Sequence, residues 1–181
     1  MIDLVEEFAK TQHCIKYPEH GHLYNALFKP YQDKEIRFLE IGVWKGESLR
    51  AFGKYLPKAT LYGLDKILPV NTDLRFIKQI YIGDQSCETW MKKVADDLQT
   101  LDICIDDGGH FADEQQISFR CLWPIIKTGG LYIIEDLHQA KKNMIDGFPC
   151  SIEFFESLDI KKTFHRCVDG FEKDICVLYK E

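Results

Sequence analysis

Short, near-continuously apolar runs alternate along this chain with longer amphipathic ones, and that alternation predicts an α/β fold. The predicted sheet is doubly wound and mostly parallel, with helices on both faces. A second observation is the turn-prone pair Asp169-Gly170 between two further strand-like runs, which predicts an antiparallel pair at the C-terminal end. A third is the placing of glycines and carboxylates at the ends of successive runs, as a Rossmann-like sheet requires at its ligand-binding edge.

Strands are expected at Ile36–Val43, Thr60–Asp65, Gln79–Ile82, Leu101–Asp106 and Gly130–Ile134. Each is apolar on consecutive residues, as strands covered on both faces should be. Helices are expected around Glu47–Tyr55, Cys87–Asp97 and Asp113–Ile126, between those strands. Helix following strand, repeatedly, demands parallel pairing through right-handed crossovers. Lys162–Val168 and Ile175–Tyr179 flank the Asp-Gly turn and form the antiparallel pair. The expected organisation is a single domain over 1–181, with a helical lead-in over 1–34 and a Rossmann-like core over 35–181.

Composition narrows the function classes. Of 181 residues, 45% are hydrophobic and 29% charged, which suits one globular core of ordinary size. The net charge of −6 argues against nucleic acid as the main partner, because phosphate neutralisation needs clustered Lys and Arg. No apolar run is long enough to span a bilayer, and the amphipathic, acidic start is unlike a signal peptide, so no membrane partner and a cytoplasmic location are expected. Seven cysteines, odd in number and without close pairs, suit free thiols in a reducing compartment. Cys104 and Cys176 lie inside apolar runs and read as small core residues.

The first strand end reads Phe38-Leu-Glu-Ile-Gly-Val-Trp-Lys-Gly-Glu-Ser48. Gly42 lets the backbone turn tightly against a ligand, and Gly46 allows close approach where the next helix begins. A dinucleotide fingerprint requires G-x-G-x-x-G, whereas this loop offers G-x-x-x-G. Glu40 adds a negative charge at the same end, which suits a cationic ligand such as an amino-acid ammonium or a sulfonium better than a pyrophosphate. Both features count against a nicotinamide dehydrogenase. Asp65 closes the second strand, where an acid can accept both ribose hydroxyls. Asp84 closes the third, placed to meet an adenine edge. Singly, each acid is more often a helix cap or a solvated loop residue; three at successive strand ends favour a cofactor site.

Five segments in order, Glu40-Ile-Gly-Val-Trp-Lys-Gly-Glu-Ser-Leu-Arg50, Tyr62-Gly-Leu-Asp65, Gly83-Asp-Gln85, Asp106-Asp-Gly-Gly-His110 and Gly129-Gly-Leu-Tyr-Ile-Ile-Glu-Asp136, resemble the class I methyltransferases of the macrocin and mycinamicin sugar O-methyltransferase type, which includes cephalosporin hydroxylase-like proteins. The resemblance covers roughly residues 21 to 137. It implies a seven-stranded sheet with the last strand antiparallel, S-adenosylmethionine as cofactor, dependence on a metal, and metal ligands at Asp107, Glu135 and Asp136. It also implies that His110 is the catalytic histidine. The macrolide enzymes carry an additional N-terminal region that shapes the acceptor site, so a macrolide acceptor is not implied here.

The metal can be argued from the residues as well. Asp107 follows the fourth strand, while Glu135 and Asp136 end the fifth, and neighbouring strands lie about 5 Å apart. Their carboxylates can therefore converge on one hard cation such as magnesium. Consecutive strand residues point to opposite faces, so Glu135 and Asp136 can both reach it only if the strand has already broken. The other reading is that one of these acids caps the helix near Asp113 or faces solvent. His110, in the glycine-flanked turn, is a suitable base for an alcohol near pH 7, with His20, His22 and His138 as weaker candidates near the acceptor mouth. The expected function is methyl transfer to a hydroxyl of a sugar or another small polyhydroxylated molecule. The rival is a non-catalytic cofactor-binding scaffold or accessory partner that keeps the fold. A homo-oligomer is compatible with either.

Overall fold

The computed structural model describes residues 2–11, 14, 16–69, 73–140, 146–167 and 172–181. Two helices lead in, α1 (Leu4–Ala9) and α2 (Pro18–Phe28). The core follows as β1 (Ile36–Ile41), α3 (Glu47–Tyr55), β2 (Ala59–Asp65), β3 (Gln79–Ile82), α4 (Glu88–Leu98), β4 (Leu101–Asp106), α5 (Ala112–Leu122) and β5 (Ile126–Ile134). The short helices α6 (Leu137–Ala140) and α7 (Ser151–Ser157) precede β6 (Lys162–His165) and β7 (Ile175–Tyr179). The seven strands form one sheet in the order β3-β2-β1-β4-β5-β7-β6. β1 to β5 pair in parallel, and β7 runs antiparallel to both β5 and β6. The expected architecture is present; the turn at Asp169-Gly170, with Val168, lies outside the described residues.

The sheet divides its side chains by the two-residue period of a strand. Phe38, Ile103, Ile105, Leu131, Ile133 and Val177 join one buried cluster with α1, α2 and α3 residues. Leu39, Cys104, Tyr132, Ile134, Cys176 and Leu178 join the other, with α4, α5 and α7 residues. On the first face the Phe52 ring meets those of Tyr24, Phe28 and Phe38 at centroid distances of 5.3, 5.6 and 5.2 Å, which seats α2 against the sheet.

Several expected boundaries differ: β1 stops at Ile41 rather than Val43, where Gly42 turns the chain at φ +87°, and β6 stops at His165. The helix predicted to reach Ile126 ends at Leu122, because Pro124 lacks the N–H that would continue it; a 3₁₀ turn over Trp123–Ile125 follows and Ile126 already opens β5. β5 thus begins before Gly130, and it accommodates the glycine pair through a register shift against β4 between Leu101 and Ile103. Cys104 and Cys176 are fully buried, and all seven cysteines are free thiols. Among the described residues no helix is long and apolar enough to cross a membrane.

Candidate active site

The parallel hydrogen-bond ladder continues past the strand ends and fixes the spacing of the site. Gly42 N donates to Leu64 O at 2.8 Å, Asp107 N to Ile41 O at 3.0 Å and Glu135 N to Asp106 O at 2.9 Å. The tips of β2, β1, β4 and β5 are therefore tied together in a row. Gly42 has φ +87°, and a Cβ there would stand 2.0 Å from the carbonyl oxygen of Asp107. Only glycine lets these two tips approach so closely. Gly46, at φ +71°, sits at the start of α3.

Two cavities open along this row. One, of 310 Å³, is lined by residues including Asp65, Asp84, Gln85 and Gly109. The other, of 420 Å³, is lined by residues including Lys16, His20, His110, Glu135, Asp136 and His138. Both are bounded by Gly42, Trp44 and Asp107, so they adjoin.

In the first cavity, Asp65 accepts from the Trp44 N–H at 2.6 Å and the Ile67 N–H at 3.2 Å. The first bond holds the loop after β1, in which Trp44 has φ +43°, and the second closes the turn after β2. Asp84 pairs with Lys66 at 2.6 Å and accepts from the Ser86 N–H and hydroxyl. Lys66 and then Ser86 hold its carboxyl down at about 2. Glu40 lines neither cavity; it is fully buried on the face of the sheet that carries Lys16 and Glu135. Neither of its oxygens makes a hydrogen bond of ordinary geometry, and burial pushes its carboxyl up to about 8, with Lys16 and Ser48 pulling the other way.

The turn that carries His110 is pinned by Gln85. Its Oε1 accepts from Gly109 N–H at 2.9 Å, while its Nε2 donates to Asp106 Oδ1 and Ser118 Oγ, each at 3.2 Å. A Cβ on Gly108 would meet that Oε1 at 2.1 Å, which explains the glycine. Asp106 faces this side of the sheet, away from the second cavity, and burial raises its carboxyl to about 7.

In the second cavity, Asp107, His110 and Asp136 each offer a ligand atom within 4.8 Å of the others. His110 Nε2 lies 3.2 Å from Asp136 Oδ2. Asp136 has φ +54°, so the strand has broken before it, as joint use of Glu135 and Asp136 would require. Glu135 nevertheless points elsewhere. It shares the parity of Leu131 and Ile133, which places it under α2 on the first face of the sheet. There its Oε1 accepts from Lys16 Nζ and from the Tyr24 hydroxyl, both at 2.5 Å, and Oε2 lies 3.4 Å from His20 Nε2. Lys16 also donates to Asp107 Oδ2 at 2.6 Å. Asp107 and Glu135 do converge, then, but on an ammonium nitrogen.

Burial lowers the basicity of Lys16, yet Asp107, Glu135 and Glu40 outweigh it and hold the amine well above its ordinary value. Burial and Glu135 raise the Asp107 carboxyl to about 6, against the pull of Lys16. His20 is buried, accepts from the Tyr17 N–H at Nδ1 and is pushed down to about 4 by burial and then by Lys16. His138 Nδ1 pairs with Asp174 at 2.5 Å and lies 3.8 Å from Asp136. His22 is exposed and lines neither cavity. Sequence reasoning missed Lys16, Tyr24 and Asp174. Parity along β4 and β5 could have paired Asp107 with Glu135 on one face, but nothing local marks Lys16 as their partner.

No family model matches the chain. It aligns at 98% of its length, and 53% of the other chain, with the solved MycE methyltransferase from the mycinamycin biosynthetic pathway, which was determined with Mg, SAH and mycinamycin VI; the TM-score is 0.76 and the identity 25%. The fold is that of a class I methyltransferase. In sequence, the chain is 36% identical to the mycinamicin VI 2''-O-methyltransferase of Micromonospora griseorubida over 124 residues, and 35% identical to the demethylmacrocin O-methyltransferase of Streptomyces fradiae over 124 residues. These homologues are sugar O-methyltransferases, the type expected from the motifs. Each alignment takes in 65% of this chain and 31% of the relative, so the chain spans about a third of the length of these curated relatives.

Proposed function

We propose that the chain is an S-adenosylmethionine-dependent O-methyltransferase, assisted by a divalent cation such as magnesium, acting on a hydroxyl of a sugar or other small polyhydroxylated molecule. The observation that carries this reading is the pair of adjoining cavities, with Asp65 in one and Asp107, His110 and Asp136 in the other. In this reading the lead-in of residues 1–34 and the core of 35–181 act as one catalytic unit, since Lys16 and Tyr24 reach Glu135.

The residues fit both groups. Glu40 is a buried carboxylate whose oxygens make no hydrogen bond of ordinary geometry among the described residues, and a cationic amino-acid moiety is the chemistry that would satisfy it. Two carboxylates whose oxygens come together, Asp107 and Asp136, suit a hard divalent cation, with the His110 imidazole beside them as the base rather than a ligand. When bound, the cofactor supplies an electrophilic methyl group and the cation increases the acidity of a hydroxyl.

The chain's own residues do the rest. Asp65 accepts the ribose hydroxyls, and Asp84 with Lys66 and Gln85 walls the adenine end. Gly42, which bounds both cavities, keeps the backbone clear of the cofactor, while Gly46 leaves room for Leu74 at the start of α3. His110 takes the acceptor proton, and Asp136 beside its ring offsets the positive charge that the imidazole gains. Holding the two reactants in neighbouring cavities supplies much of the acceleration.

Calorimetry with S-adenosylhomocysteine and with NAD tests the cofactor. The former should bind and the latter should not; the reverse would refute the reading. Methyl transfer to glycosylated and catechol-like hydroxyl compounds, with and without magnesium, then tests the acceptor class.

A further inference from the structure

The position between Asp107 and Glu135 already holds a cation that belongs to the chain. The Lys16 side chain is only 3% exposed, and its Nζ touches one oxygen of each acid. Charge-assisted bonds of this length to two carboxylates are strong and favour the ammonium form. The Tyr24 hydroxyl completes the contacts of Glu135 Oε1, and His20 Nε2 stands beside Oε2. Glu135 is thus sealed among residues of the lead-in while Asp136, next in the chain, faces His110.

A magnesium ion binds carboxylate oxygens at about 2.1 Å. An ion on Asp107 Oδ2 and Glu135 Oε1 would lie against Lys16 Nζ, which occupies the same approach to the same atoms. Two cations cannot share that space. We propose that Lys16 and a divalent cation are alternative occupants of the Asp107–Glu135 pair: Lys16 is a tethered counter-ion that the metal must displace to gain Glu135 as a ligand. With Lys16 in place, a bound ion is confined to the Asp107, His110 and Asp136 side. The inference rests on the metal-assisted reading above and adds to it a residue of the lead-in that sets how tightly the metal is held.

The test is a titration of the full chain with Mn(II), following the free ion by electron paramagnetic resonance, with and without S-adenosylhomocysteine. Lys16→Met should tighten Mn(II) binding by at least about tenfold, because the competing charge is gone. Lys16→Arg should stay near the wild-type affinity, and adding Asp107→Asn to Lys16→Met should abolish the gain. Melting curves give a second reading, in which Mn(II) raises the melting temperature of Lys16→Met more than that of the wild type. If Lys16→Met folds only with Mn(II) present, the metal has replaced the ammonium and the proposal stands; failure of Mn(II) to restore it overturns the proposal. Equal or weaker Mn(II) binding by a folded Lys16→Met chain overturns it too. Failure of the wild type to bind S-adenosylhomocysteine instead refutes the methyltransferase reading, and the titration without that ligand still decides the role of Lys16.

Discussion

Glu40→Gln separates a ligand-binding carboxylate from a merely structural one. In the folded chain burial raises the Glu40 carboxyl from 4.5 to about 8, so it keeps a proton that the unfolded chain has lost. A carboxyl shifted upward costs stability as pH rises: the loss begins near pH 4.5 and levels off above pH 8. At about 1.4 kcal/mol per pH unit, the loss across that window is about 5 kcal/mol. A glutamine at this position carries no such charge. Urea unfolding at pH 5, 7 and 8.5 should show the two proteins closest at about pH 5, with the variant gaining on the wild type by several kcal/mol at about pH 8.5. Asp106, raised to about 7, contributes the same slope to both proteins and cancels in the difference, whereas Asp107, whose charge also raises Glu40, cancels only in part. S-adenosylhomocysteine affinity should rise with pH toward 8 in the wild type and be weaker and flat in the variant. Parallel stability curves would refute the buried-charge argument. Undiminished ligand affinity would remove Glu40 from the cofactor site.

Asp65→Ala should weaken S-adenosylhomocysteine binding by at least about 1.5 kcal/mol, since charged acceptor bonds disappear; unchanged affinity by calorimetry in a folded variant would exclude Asp65 from the site. His110→Ala should lower turnover by roughly a hundredfold or more while cofactor binding survives, and partial recovery in alkaline buffer should accompany it. A near wild-type rate would pass the base to another group. Gly42→Ala must place a methyl 2.0 Å from the Asp107 carbonyl oxygen at φ +87°. Left-handed backbone alone costs an alanine about 1–2 kcal/mol, and this clash is with backbone that the sheet holds, so thermal melting should show a loss of more than about 3 kcal/mol and calorimetry a loss of cofactor binding.

The local signals in the sequence are those of period and punctuation, and they carried far. Continuous apolar runs identified the parallel strands, because strands covered on both faces have no polar alternation to show. Glycines at 42 and 46, with acids at strand ends, marked the edge where the backbone turns and a ligand is expected. The same signals misjudged the Trp123–Ile126 stretch, where Pro124 ends one element and Ile126 begins the next without an intervening polar loop.

The sequence by itself determined the sheet and the edge at which its glycines and acids gather, because each follows from residues close together in the chain. The tertiary structure decided the company those acids keep. Lys16 and Glu135 are 119 residues apart, and Lys16 and Asp107 are 91 apart. They meet because α2 lies across one face of the sheet, anchored by Tyr24, Phe28 and Phe52, and because strand parity turns Asp107 and Glu135 to that same face. No local pattern encodes such a contact, since it depends on which face a remote helix covers.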